Sequence, residues 1–137
     1  ARISASFELE NEKAAGVFAG EKKAIYSHIK LEGIHEAPVN IAVFYKPEKE
    51  PVLGQNTMLE AGEYSVVCAV QNMWLMSRAL NIGLGWVSIL DPLVVKDMLN
   101  SPLDYKLVAY LCIGYVGEFF SPRELESLQW KSRKQLE

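Results

Sequence analysis

Cysteine, histidine and positive charge are all scarce in this sequence. Its 137 residues include two Cys, two His, 14 Lys and Arg, and 17 Asp and Glu, for a formal charge of −3. Two cysteines exclude a disulfide scaffold. Two isolated Cys and two isolated His cannot assemble a zinc ligand set. Without an excess of positive charge little draws in phosphate backbones, so no nucleic-acid partner is expected. A membrane span needs about 20 largely apolar residues. The most apolar stretch, Tyr64 to Leu90, is broken by Gln71, Asn72, Arg78 and Asn81, so no membrane helix is expected. The chain opens Ala1-Arg2-Ile3-Ser4, with no Met and no charged-then-apolar leader. A processed product or a fragment fits that start. Neither a Gly-Xaa-Ser-Xaa-Gly elbow nor a Walker loop occurs.

What is present is apolar surface. Half of the residues are hydrophobic, which excludes intrinsic disorder because burial can offset chain entropy. The length suits one domain, which buries roughly 70% of its unfolded surface at this size. Cys68 and Cys112 sit among apolar neighbours and read as buried, reduced thiols of a cytoplasmic protein.

Periodicity predicts a helix from Phe7 to about Ala19, with Phe7, Ala14, Val17 and Phe18 on its apolar side and Gly20 as a break. A second helix follows from about Glu21 to Leu31, turning Ala24, Ile25, Tyr26 and Ile29 inward and ended by Gly33. Val39 to Tyr45 reads as a buried strand, and Lys46 to Gly54, with Pro47 and Pro51, as a solvated loop. Glu60 to Leu80 is the dominant helix. Its apolar residues cover more than one stripe, so it is expected to be central and to meet a second subunit on one face.

Ile82-Gly83-Leu84-Gly85 reads as a tight connection before a short strand, Trp86 to Leu90. Asp91-Pro92 has the residues to cap and start a helix that ends near Asn100. Lys106 to Val116 is an almost continuous apolar strand, and Ser121-Pro122-Arg123-Glu124 a capping-box start for a last helix. Alternating strands and helices predict α/β layering with some parallel pairing.

Few side chains in this pattern carry chemistry by themselves. His28 and His35 read as solvated. Ser88 is the one polar residue of its strand, and its plain reading is a hydrogen bond to its own backbone. The tail Lys131-Ser132-Arg133-Lys134 is either a solvated terminus or a clamp on a phosphate.

Several segments together nevertheless form a pattern. They are Phe18-Ala19-Gly20-Glu21 with Tyr26, Lys30-Leu31-Glu32-Gly33-Ile34, Glu36-Ala37-Pro38, the run from Tyr64 to Leu75, Gly83 to Ile89, and Val108 to Val116. This pattern closely resembles the 5,6-dimethylbenzimidazole synthase family, a branch of the FMN-dependent nitroreductase-like fold, from about Phe7 to Arg133.

The resemblance implies an α+β sandwich, with helical layers on both sides of a sheet, and an intertwined homodimer binding FMN between the subunits. It also implies that residues 1–137 are the C-terminal portion of one such domain. In that family reduced FMN is the substrate, and dioxygen drives fragmentation of its isoalloxazine to 5,6-dimethylbenzimidazole, the lower ligand of vitamin B12. Ser88 matches the family serine beside flavin N5, where a hydroxyl can relay a proton. Gly85, Trp86, Val87 and Ser88 would line the ring, Leu31 would lie in the segment covering the pocket, and Lys131 and Arg133 would approach the FMN phosphate.

The family's arginine-rich phosphate motif, with its acidic residue, falls before Phe7 and is not in this sequence. Nor is the family's Pro-Ser contact to the ring. Lys131 stands where the family tends to have Arg, keeping the charge and losing the bidentate fork. Two alternatives stay open: a conventional nitroreductase that reduces its FMN with NAD(P)H, and a non-catalytic dimeric binding module.

Overall fold

The structure is a computed structural model, and it describes residues 1–50, 52–121 and 123–135. Pro51 of the expected loop and Pro122 of the expected capping segment lie outside the described residues. Eight elements follow in chain order: α1 (Arg2–Ala15), α2 (Gly20–His28), β1 (Val39–Tyr45), α3 (Ala61–Ala79), β2 (Ile82–Val87), α4 (Pro92–Met98), β3 (Lys106–Tyr115) and α5 (Glu124–Ser127). The sheet has the order β1-β3-β2, and both pairings are antiparallel.

The expected parallel pairing is therefore corrected. The continuous apolar run of β3 arises because both of its faces are covered. Successive side chains of a strand point to opposite faces. Tyr110 and Cys112 join Phe7, Val87, Leu90 and Val95 on the α1 and α4 side. Ala109 and Leu111 join Val70 and Leu84 on the α3 side. A central antiparallel strand between two helical layers thus has the composition that usually marks a parallel sheet. The edge strands β1 and β2 do run the same way, with α3 crossing between them and β3 inserted in the gap. The result is a split β-α-β unit.

Element ends show how local chemistry works. Asp91 caps α4 as expected, its carboxylate accepting from the N–H of Leu93 at 2.8 Å. Helix α1 starts at Arg2, five residues before the predicted start, because the buried hydroxyls of its first turns find partners. Ser6 Oγ accepts from the Asp91 N–H at 3.0 Å, and Ser4 Oγ hydrogen-bonds His35 Nε2 at 2.6 Å. The helix ends at Ala15, so Val17 is exposed rather than part of its apolar side. Helix α2 ends at His28, well before Gly33, and Ala24 is exposed. Helix α5 starts at Glu124 after Arg123, without a side-chain cap, so the expected capping box does not form among the described residues.

Helix α3 matches its expected span within a residue at each end, but not its expected burial. Beyond its partly buried first turn, Ala61 to Glu63, only a stripe made by Val66, Val70, Met73 and Ser77 turns inward. Leu75 and Met76 are about as exposed as surface residues, at 61% and 59%. Cys68, on the same outer side, is exposed, which corrects its reading as a buried thiol; Cys112 is buried as expected.

Candidate active site

The strand β2 begins four residues earlier than the sequence pattern predicts, so Gly83 and Gly85 are strand residues and not a turn. The register sets Gly83 opposite Gly114, Gly85 opposite Cys112 and Val87 opposite Tyr110, all on one sheet face. Small side chains there leave the backbone accessible. A Cβ on Gly83 would stand 2.3 Å from Val116 Cγ1, and one on Gly114 would stand 2.7 Å from Pro38 Cδ, so chain already covers those two. At Gly85 nothing lies within 4 Å of the place a Cβ would take. Bare backbone is therefore open at that point of the sheet.

Above it lies a cleft of about 840 Å³. Its floor is β2 with Cys112. One wall is the segment after α2, including Leu31 and Gly33, and another is Trp74 and Arg78 of α3. The C-terminal part of the chain closes the third side through Phe119, Phe120, Glu124 and Leu125. This volume falls in the range of small-molecule and cofactor sites, roughly 300–1,000 Å³. Four of the expected site residues, Leu31, Gly85, Trp86 and Val87, line it together.

The other three lie elsewhere. Ser88 follows the last residue of β2 and is exposed, so it is not a serine satisfied within the sheet. It lines a second recess of about 360 Å³ with α1, beside Glu10 and Lys13. Those two form an ion pair at 2.6 Å. Lys131 and Arg133 are exposed in the tail and line neither cavity.

The cleft has its own cations, which sequence reasoning missed. Lys30 pairs with Glu36, which raises the lysine pKa and lowers that of the carboxylate through their hydrogen bond. Arg78 stacks on the Phe119 ring with its guanidinium carbon 3.6 Å from the centroid. Trp74 and Arg78 are four residues apart on one helix, a spacing that places them side by side, and that was the available signal.

Cys112 donates to Asn40 Oδ1 at 3.2 Å, and burial pushes its thiol pKa up. It is protonated at neutral pH and serves as packing, not as a nucleophile. The tyrosine Tyr110 is likewise pushed up, by burial first and by Cys112 second. His28 is exposed as expected, and His35 is exposed while bonded to Ser4. Among the described residues no group of His, Cys, Asp or Glu could hold a metal ion, and no helix is long and apolar enough to cross a membrane.

A split antiparallel sheet between helical layers, with a cleft over an open strand, places this chain in a class of known folds. Its fold is similar to that of a nitroreductase with bound FMN from Bacteroides fragilis, at a TM-score of 0.50 and 20% identity, over 90% of this chain and 67% of that one. The chain belongs to the nitroreductase family, whose model matches residues 1–115. It is 44% identical over 126 residues to a 5,6-dimethylbenzimidazole synthase from Rhodospirillum rubrum, covering 90% of this chain and 60% of that protein. It is 41% identical over 123 residues to one from Rhodobacter capsulatus, covering 87% and 58%. The chain thus spans about 60% of the length of these relatives.

Proposed function

We propose that the protein carrying this chain is an FMN-dependent oxidoreductase of the 5,6-dimethylbenzimidazole synthase type. In this reading residues 1–137 are the C-terminal portion of its single domain, and it works as a homodimer. The observation that carries the proposal is the open backbone at Gly85, on the floor of a cleft also lined by Leu31, Trp86 and Val87. A planar ring needs such a floor, and a side chain there would lift it away. The identity of 44% to a protein of that name supports the choice of reaction.

Bound and reduced, FMN would supply the electrons with which dioxygen is consumed. The chain's own residues would do the rest. Gly85 to Val87 would present backbone to the ring, and Leu31 with Trp86 would exclude water from it. Ser88 Oγ, exposed just beyond β2 and outside the cleft of its own chain, would accept a proton from, and donate one to, a flavin held at the boundary with a second copy. Lys30 and Arg78 are cations in a lining that also holds Glu32, Glu36 and Glu124; Lys30 is paired with Glu36, so Arg78 is the cation that would face an anionic group. Lys131 and Arg133 are free to meet an anion at the boundary with a second copy.

The test is aerobic incubation of the protein with reduced FMN, followed by chromatography. We expect 5,6-dimethylbenzimidazole to accumulate as flavin is lost, and Ser88→Ala to keep FMN binding while slowing the loss. Full recovery of the flavin contradicts the proposal. Steady NAD(P)H turnover with intact flavin would favour the second reading, a conventional nitroreductase, which the likeness to the Bacteroides fragilis fold keeps in view.

A further inference from the structure

The C-terminal part of the chain closes one side of the cleft, yet it is held by few contacts. From Arg123 to Gln135 every residue is exposed except Leu128 and Trp130. The end of α5 explains how Trp130 is aimed. Gln129 adopts a left-handed conformation, with φ of 56°. Its N–H bonds the Glu126 carbonyl at 3.0 Å, and the Trp130 N–H bonds the Leu125 carbonyl at 2.9 Å. This pair of bonds is a Schellman ending, which folds the chain back sharply after a helix.

The fold-back delivers the Trp130 indole to the corner between α1 and α2. Its ring lies 5.1 Å from Phe18 in an edge-to-face arrangement and 6.0 Å from Tyr26, with Lys22 Nζ 5.9 Å from its centroid. Phe18 and Tyr26 pack on each other at 5.0 Å. Tyr26 is buried, and its hydroxyl donates to Asn11 Oδ1 at 2.7 Å, so the platform is fixed to α1. Three residues after Tyr26, Ile29 begins the segment that lines the cleft. On the other side of Trp130, Glu124 and Leu125 line the cleft as well.

We infer that Trp130 is a positioning residue that seats α5 as one wall of the cleft. It acts through Leu125 and Glu124 and does not itself line the cavity. The inference rests on the cleft being the FMN site proposed above. Each aromatic contact adds to area burial, and the lysine adds to both. Without the indole, α5 keeps its own helix turn but loses its seat.

The experiment pairs two measurements on the wild-type chain, Trp130→Ala and Trp130→Phe. One is the rate of tryptic cleavage after Arg123, and the other is the rate of FMN dissociation followed by flavin fluorescence. For Trp130→Ala both rates should rise about tenfold, the effect of losing two aromatic contacts. Trp130→Phe should return both most of the way, since a ring still fills the corner. Cleavage at the wild-type rate in Trp130→Ala overturns the anchor. Faster cleavage with an unchanged FMN rate overturns the role as a cleft wall. If no variant takes up FMN, the flavin reading fails, and cleavage alone still decides whether Trp130 seats α5.

Discussion

The two helical layers of this chain are finished to different degrees. On one side α1 and α4 close over β3 with buried side chains and a polar clasp from Ser6 to the Asp91 N–H. Arg2 and Asp97 add an exposed ion pair at 2.7 Å, worth little in water. On the other side α3 seals Val70 against Leu111 with one stripe and presents its remaining apolar residues to solvent. Apolar residues exposed along one helix are the kind of surface a partner can cover. In the reading proposed above, a second copy would cover the apolar residues that α3 leaves exposed.

Four outcomes test that contrast. The largest concerns the core of the α3 side. Leu111 is fully buried, so Leu111→Ala should cost about 3 kcal/mol in denaturant unfolding, through lost burial and a cavity. A cost under about 1 kcal/mol would mean the α3 side is loosely packed. Next comes the outer face of α3. Leu75→Glu should weaken self-association at least tenfold, about 1.4 kcal/mol, with the fold of each chain unchanged by circular dichroism. Unchanged association by sedimentation would place the interface elsewhere. On the finished side, Asp91→Ala removes the cap of α4 and should cost about 1 kcal/mol of stability. The smallest effect on stability is at Gly85. Gly85→Ala meets open space, so the thermal transition should move little, while FMN binding weakens as the methyl group enters the cleft. Undiminished FMN affinity would show that the ring does not lie there.

Much of the fold was legible from the sequence where a local device was complete. Helix α3 and strand β1 announce themselves by period and by β-branched runs, and α4 by its Asp-Pro start. Legibility failed where a residue's role is set by distant chain. Gly83 and Gly85 read as a turn because glycine usually marks one. Here Gly83 is small because Val116 packs over it, and that neighbour is 33 positions away. The apolar period of α1 begins at Phe7, and its first turns carry no such signal because Ser4 and Ser6 find their partners in His35 and the Asp91 backbone. The antiparallel pairing was hidden because double-sided burial, not strand direction, sets the composition of β3.

The site divided in the same way. Leu31 and Gly85 to Val87 meet at one cleft. Arg78 and Trp74 were passed over because a long apolar helix draws attention to its core stripe, and both lie off it. Ser88 and the basic tail lie away from that cleft within one chain. A surface completed by a second copy leaves no periodic signature in the residues that wait for it.

The decisive quantity is the mass of the protein in solution recorded together with its flavin absorbance. Twice the mass of a single chain, with one yellow flavin per subunit retained through chromatography, is the expected result. A colourless particle of one chain, unable to take up added FMN, would contradict a flavin site built between two copies.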